Sequence, residues 1–204
     1  MDKLAQDINS LRSMEGTHDF NLRVKINNGE NAEAFEGIPV HKFVLLARSP
    51  VLSAMLRSNM MEAKHKVMKI DDSTPEAIET LVAFMYCGEA EFGSIEHAID
   101  VCTAADKYEL IDLVELCEEY LILKLEEGVG VKNLEFRAVF DVAELCDLQG
   151  LENACVKFLV KWKTWMATHW NYPYFLSLSQ CQKVLLYDTP ANEARVRGFT
   201  RLDF

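Results

Sequence analysis

The 204 residues carry 21 Lys and Arg against 32 Asp and Glu, a formal charge of −11, and 50% of them are hydrophobic. Such a chain can bury a sizeable core in one large domain, or in one domain with a helical extension. The acidic balance argues against binding nucleic-acid phosphates, which needs clustered Lys and Arg.

The elements follow in order. Residues 2–13 read as a short amphipathic helix, with Leu4, Ala5, Ile8 and Leu11 on one face. So short a helix needs a surface to dock on, either its own domain or a partner subunit. The opening MDKLAQDINS has no apolar core of a secretory signal, and no later run approaches the roughly 18 apolar residues of a membrane span. After a polar loop, Asp19–Asn27 alternates Phe20, Leu22, Val24 and Ile26 as a half-buried strand. A turn over Asn27–Asn31 leads to a returning strand, Glu33–Val40, with Gly37-Ile38-Pro39 as its irregular end.

The stretch from Val40 to Glu62 then reads as a helical hairpin and a turn. Phe43–Leu46 form the first apolar run. Ser49-Pro50 breaks it and restarts a second helix, with Ser as N-cap and Pro at the first helical position. Val51, Leu52, Met55 and Leu56 line that helix, which ends near Ser58-Asn59. Met60-Met61-Glu62 follow as an exposed turn.

Lys66–Ile70 is a short strand with Val67, Met68 and Ile70 as its inward candidates. Ser73 and Glu76 have the spacing of a capping box for a helix carrying Ile78, Leu81, Val82 and Met85, ended by Gly88. Ser94 caps the next, with Ile95, Ala98, Ile99, Cys102 and Ala105. Another runs from Leu110 to Leu125. The break Glu126–Gly130 marks a boundary. Beyond it, Asn133–Leu148 is helical with Leu134, Ala138, Val142 and Leu145 inside. Gly150 separates it from a helix carrying Leu151, Ala154, Cys155, Phe158, Leu159 and Trp162. An aromatic cluster over 162–175 reads as a small satellite core. A last helix is expected over Ser177–Tyr187, then a loosely ordered tail over 188–204.

No catalytic motif stands out: the chain has no GxxxxGK[ST], GxGxxG, GxSxG or HExxH. Its five histidines, His18, His41, His65, His97 and His169, lack metal-ligand spacing. His41 reads as a hydrogen-bonded structural residue. The six cysteines, Cys87, Cys102, Cys117, Cys146, Cys155 and Cys181, contain no CxxC and read as reduced core thiols, which favours a reducing compartment. Neither a metal nor a cofactor is expected, and the chain reads as a binding module over an enzyme.

Taken together, Asp19, His41-Lys42, Ala47-Arg48-Ser49-Pro50-Val51, Met55, Tyr86-Cys87-Gly88 and Ala104-Ala105-Asp106-Lys107-Tyr108 resemble the signature of BTB/POZ domains. The likeness covers roughly residues 1–125 and is nearest to the MATH-BTB substrate adaptors of cullin-3 ubiquitin ligases. It implies an α+β fold, a small β-sheet flanked by an α-helical cluster over 1–127, followed by an all-α BACK-like extension, or 3-box, over 131–187. Val131-Lys132-Asn133 and Ala143-Glu144-Leu145 are similar to the start of such an extension.

By position, the resemblance implies that Met60, Met61 and Glu62 contact cullin-3 and that Leu4, Ile8 and Leu11 hold a homodimer. No MATH, Kelch or zinc-finger domain occurs in these residues, so the protein substrate stays unassigned. The function implied is a dimeric adaptor linking cullin-3 to a substrate for ubiquitination, cytoplasmic or nuclear, touching neither nucleic acid nor membrane. The alternative is a self-association module that recruits transcriptional or other partners without ligase function.

Overall fold

A computed structural model of the chain describes residues 3–14, 16–26, 34–57, 66–127 and 133–158. Helix α1 (Lys3–Arg12) leads into strand β1 (Phe20–Ile26), and β2 (Ala34–Val40) returns beside it. Helices α2 (Lys42–Arg48) and α3 (Pro50–Arg57) then carry the chain to β3 (Val67–Ile70). Four helices follow: α4 (Pro75–Cys87), α5 (Ile95–Lys107), α6 (Ile111–Glu127) and α7 (Asn133–Leu145). An eighth, α8, spans 149–158.

The sheet has the order β2-β1-β3. β1 pairs antiparallel with β2, from Phe20 opposite Val40 to Ile26 opposite Ala34, and parallel with β3, from Asn21 opposite Val67 to Val24 opposite Ile70. A parallel pair needs a crossover, and the α2–α3 hairpin lies within it. The residues turned to the helices are buried: Phe20, Leu22, Val24, Ile38, Val40, Met68 and Ile70.

Two expectations change here. Gly37-Ile38-Pro39 is regular strand, in register to its end. Pro39 is tolerated because β2 is an edge strand of this sheet, where a missing N–H need not break the ladder. On β3, Met68 and Ile70 point inward, while Val67 is half-buried on the other face with Lys69, as strict alternation requires.

Ser49 alone joins α2 to α3. Its N–H donates to Leu45 O, closing α2, and its Oγ accepts the Leu52 N–H at 3.1 Å, opening α3 at Pro50. α4 is capped by Thr74, whose Oγ1 accepts from the Ala77 N–H at 3.4 Å. The Ser73 capping box therefore gives way to its neighbour. Pro75 occupies the first helical position, so the residue before it becomes the cap. Ser94 caps α5 by accepting the His97 N–H, and Gly88 closes α4 at φ 75. α4 is apolar on most of its circumference, burying Ala77, Ile78, Leu81, Val82, Phe84, Met85 and Tyr86, as expected of a helix enclosed by others.

The apolar core runs on past Glu127. α7 packs against α5 and buries Phe136, Val139, Phe140 and Ala143, with Val142 beside them. The expected stripe ending in Leu145 is rotated, and Leu145 is exposed. Two phenylalanines hide more apolar area than one leucine, so they set the inward face. In α8, Leu151, Ala154, Cys155 and Phe158 are buried, and the Phe158 ring stacks on Phe136 with centroids 5.2 Å apart. The helix predicted over Leu110–Leu125 is α6, and the one from Asn133 stops at Leu145 rather than Leu148. The 162–175 aromatic segment, the Ser177–Tyr187 helix, Cys181 and the tail lie outside the described residues.

Gly150 opens α8 instead of separating two helices. Glu118 of α6 accepts the Leu151 N–H at 2.8 Å, supplying a carboxylate to the first turn of α8. A Cβ at Gly150 would stand 2.6 Å from Glu118 Oε1. Gly150→Ala should therefore displace Glu118 and cost about 1 kcal/mol, the loss of a charge-assisted hydrogen bond less the helix propensity gained. With Glu118→Ala already present, the same change should stabilise, by up to about 1 kcal/mol. Urea denaturation of the four proteins measures this reversal of sign. Gly150→Ala costing the same in both backgrounds would refute the contact.

The described cysteines are free; Cys102, Cys117 and Cys155 are buried, and Cys87 and Cys146 half-buried. The Cys102 thiol is pushed up to about 12, first by hydrogen bonding with Cys117 and also by burial, against an opposing contact with Cys146. Burial pushes Cys155 to about 12. An acid whose pKa is higher folded than unfolded stabilises fully below its unfolded value, here 9.0, and loses that contribution as pH climbs toward the folded one. Urea midpoints should thus hold near about pH 8 and fall by about pH 10.5. Cys155→Ala should start lower but fall less.

Candidate interaction surface

The residues that tie α1 to the sheet form one chain of hydrogen bonds around His41. His41 is 7% exposed and follows β2 as the N-cap residue of α2, without capping it through its side chain. Asp19 caps the helix in its place, and its Oδ1 accepts the Lys42 N–H at 2.7 Å. The His41 backbone N–H donates to Tyr86 Oη at 2.9 Å, and Tyr86 Oη lies 2.7 Å from His41 Nδ1. Thr17 Oγ1 spends its proton on Met14 O, so it can only accept from His41 Nε2, and Nδ1 is left to accept from the Tyr86 hydroxyl. Nε2 then carries the ring proton and donates to Thr17 Oγ1 at 3.0 Å, while Thr17 Oγ1 donates to Met14 O at 2.7 Å.

Every donor in this series finds an acceptor, which marks His41 as a structural residue. Burial, the largest influence on it, raises the Tyr86 hydroxyl above its ordinary value and keeps it protonated as a donor. His97 plays a similar part: its Nδ1 accepts the Gly93 N–H, leaving Nε2–H for Thr80 Oγ1. His65 and His169 lie outside the described residues.

Helix α1 rests on α4 of its own chain, with Ile8 half-buried against the core and Leu11 half-buried. The side chain of Leu4 lies outside the described residues. His18 donates from Nε2 to Arg12 O at 3.0 Å, and its ring lies 4.8 Å from that of His41. Beside this network two large apolar side chains face solvent, Met14 at 52% and Phe43 at 54% exposure. The Phe43 and His41 rings are 5.7 Å apart.

Sequence reasoning missed this pair, although one signal was present. Four consecutive apolar residues on a helix, Phe43–Leu46, span its circumference, so one must face away from the core. Val44 and Leu45 are buried, Leu46 is half-buried, and Phe43 is the outward one. Met60, Met61 and Glu62 fall between α3 and β3, outside the described residues. Among the described residues, no group of three or more His, Cys, Asp or Glu side chains could hold a metal ion.

The BTB/POZ domain family model matches residues 9–125. The chain belongs to the BTB/POZ family. Its curated relatives include protein maternal effect lethal 26 of Caenorhabditis elegans, 36% identical over 132 residues, which are 64% of this chain and 30% of that protein. TD and POZ domain-containing protein 1 of Mus musculus is 32% identical over 140 residues, 63% of this chain and 37% of that protein. The chain thus spans well under half the length of these relatives. Among solved structures, the BTB domain of zebrafish PATZ1 matches 58% of this chain and 88% of its own, at 22% identity and a TM-score of 0.46.

The BTB/POZ domain is in general a non-catalytic interaction module that self-associates and binds partners. In this BTB/POZ domain the small sheet and its helices make a mixed α/β fold, with the surface at α1, Met14 and Phe43 lying at the edge of the His41 network.

Proposed function

We propose that the chain is a dimeric scaffold that links cullin-3 to a protein substrate for ubiquitination. The observation that carries this reading is the tripeptide Met60-Met61-Glu62 between α3 and β3, at the position where the MATH-BTB adaptors it resembles hold an apolar residue, any residue, and Glu. A flexible methionine fills an irregular groove, and a glutamate makes a directed polar contact at its rim. The dimer uses Leu4, Ile8 and Leu11 of α1. The exposed Met14 and Phe43 support this, since they extend an apolar surface from the end of that helix. α7 and α8 are read as the start of a BACK-like extension that borders the cullin site. The acidic composition and free core thiols suit a cytoplasmic or nuclear protein.

Titration with the N-terminal domain of cullin-3, read by calorimetry with light scattering on the same sample, tests the reading. A dimer binding one cullin per subunit supports it. Met60→Ala/Glu62→Ala should weaken that binding by about 100-fold, the loss of two anchor contacts, without changing the melting temperature. A dimer that ignores cullin-3 would favour the self-association module, which needs the α1 surface but not the tripeptide.

A further inference from the structure

The sheet face turned away from the helices carries three cations, two of which, Arg23 and Lys69, lie against one aromatic ring. Alternation along the strands points Arg23 and Lys25 of β1, Phe35 of β2 and Lys69 of β3 outward. The register sets Arg23 directly opposite Lys69 on one side and opposite Gly37 on the other, with Lys25 opposite Phe35. The Arg23 guanidinium lies 5.4 Å and the Lys69 ammonium 5.2 Å from the centre of the Phe35 ring.

Arg23 and Lys69 are exposed, and among the described residues neither has a carboxylate partner. No outward position of the three strands holds an acidic residue, in a chain of net charge −11. Glu36 has the parity of Ile38 and so belongs to the other face.

Like charges directly opposite each other in a sheet are destabilising. The Phe35 ring offsets part of that cost through its negative face, yet the two cations remain side by side. Gly37 has no side chain, and the Asn21 amide lies over it, 3.1 Å from where a Cβ would stand, so a neutral polar group borders the two cations. An anion placed between Arg23 and Lys69 would remove the repulsion and gain two charge-assisted contacts.

The kind of anion also follows. Stacking a nucleic-acid base requires a free aromatic face, and here two cations occupy the ring. A long polyanion would also meet the repulsion of the acidic chain as a whole, whereas a short carboxylate-bearing segment meets only the local field. We infer that this face docks an acidic peptide segment of a partner protein, one carboxylate seated between Arg23 and Lys69 beside Phe35. The inference does not depend on the cullin-3 reading, because the two surfaces share no residue.

The test uses the full chain and three fluorescent probes: a peptide of alternating Glu and Ser, its Gln–Ser counterpart, and oligothymidylate of equal charge. Anisotropy is followed at low and at physiological ionic strength, where screening lengths are about 30 and 8 Å. The Glu–Ser peptide should bind at low salt and weaken as salt rises, and the Gln–Ser peptide should not bind. Lys69→Glu should cut affinity at least about tenfold, while Lys157→Glu, an equal change of charge at another exposed site, should leave it within about twofold.

Absence of Glu–Ser binding at low salt overturns the inference. So does an equal loss with Lys157→Glu, and so does oligothymidylate binding as tightly as the peptide. Should Lys69→Glu fail to fold, amide shifts in the wild-type chain decide: changes centred on β1 and β3 uphold the site, and changes elsewhere remove it.

Discussion

Tyr86→Phe is expected to lower the stability of this domain by about 3 kcal/mol, although it deletes one oxygen atom. Tyr86 is 3% exposed, and its hydroxyl accepts the His41 backbone N–H at 2.9 Å and donates to Nδ1 at 2.7 Å. Without it, a buried donor and a buried acceptor both lose their partner, and each orphaned group costs about 1–3 kcal/mol. For a chain of this size that is a fall of about 6–12 °C in melting temperature.

His41→Phe should also destabilise, since the Tyr86 proton then has no acceptor. The double variant should cost less than the sum, because Nδ1 is gone and no longer needs a donor. Denaturant titrations of the four proteins give the coupling. Strict additivity would mean that the tyrosine and the histidine do not act as a pair. The same experiment bears on the α1 surface, because His41 holds Thr17 and Thr17 holds Met14.

The residues that made the fold legible in the sequence prove to be partners of one another. Asp19 accepts from Lys42, His41 meets Tyr86, and Ser49 meets Tyr108. Each sits at a junction where the chain changes element and backbone groups would otherwise be buried without partners. Few residue types satisfy such a place, so a fixed set of letters at fixed spacing is a physical demand rather than a coincidence. The amphipathic stripes of β1, α3 and α5 were readable for the same reason, since burial repeats with the period of the backbone.

What eluded sequence reading lacked such a demand. Phe35 with Arg23 and Lys69 joins three strands, and only the register reveals the cluster. The inward face of α7 was decided by the buried Phe136 and Phe140, a choice between two apolar stripes that periodicity alone leaves level. Met60-Met61-Glu62 lies outside the described residues, so its assignment rests on resemblance and on the cullin-3 titration.

Ser49→Ala is expected to cost about 3 kcal/mol, against about 1 kcal/mol for Thr74→Ala, although both delete a helix cap. The difference lies in burial, since each hydroxyl has two partners. Thr74 is half-exposed, so water can replace its hydroxyl both at the Ala77 N–H and at Asp100 Oδ2, to which it donates at 3.2 Å. Ser49 is 1% exposed, and its Oγ does two things at once: it accepts the Leu52 N–H at 3.1 Å and donates to Tyr108 O at 2.7 Å. Removing it leaves a buried N–H at the start of α3 and a buried carbonyl at the end of α5, beyond the reach of solvent.

Since Tyr108 lies 59 residues further along the chain, this hydroxyl also fixes α3 against the helical cluster. Hydrogen exchange should therefore show the Leu52 amide losing protection in Ser49→Ala while the amides of β1 keep theirs. Equal costs for the two substitutions would mean that burying the Ser49 contacts adds nothing beyond an exposed cap. A larger cost for Ser49 assigns to one buried hydroxyl both the turn between two helices and their placement on the core. Under the proposed cullin-3 reading, loosening α3, which ends at Arg57, should also weaken that binding, with Met60, Met61 and Glu62 unchanged.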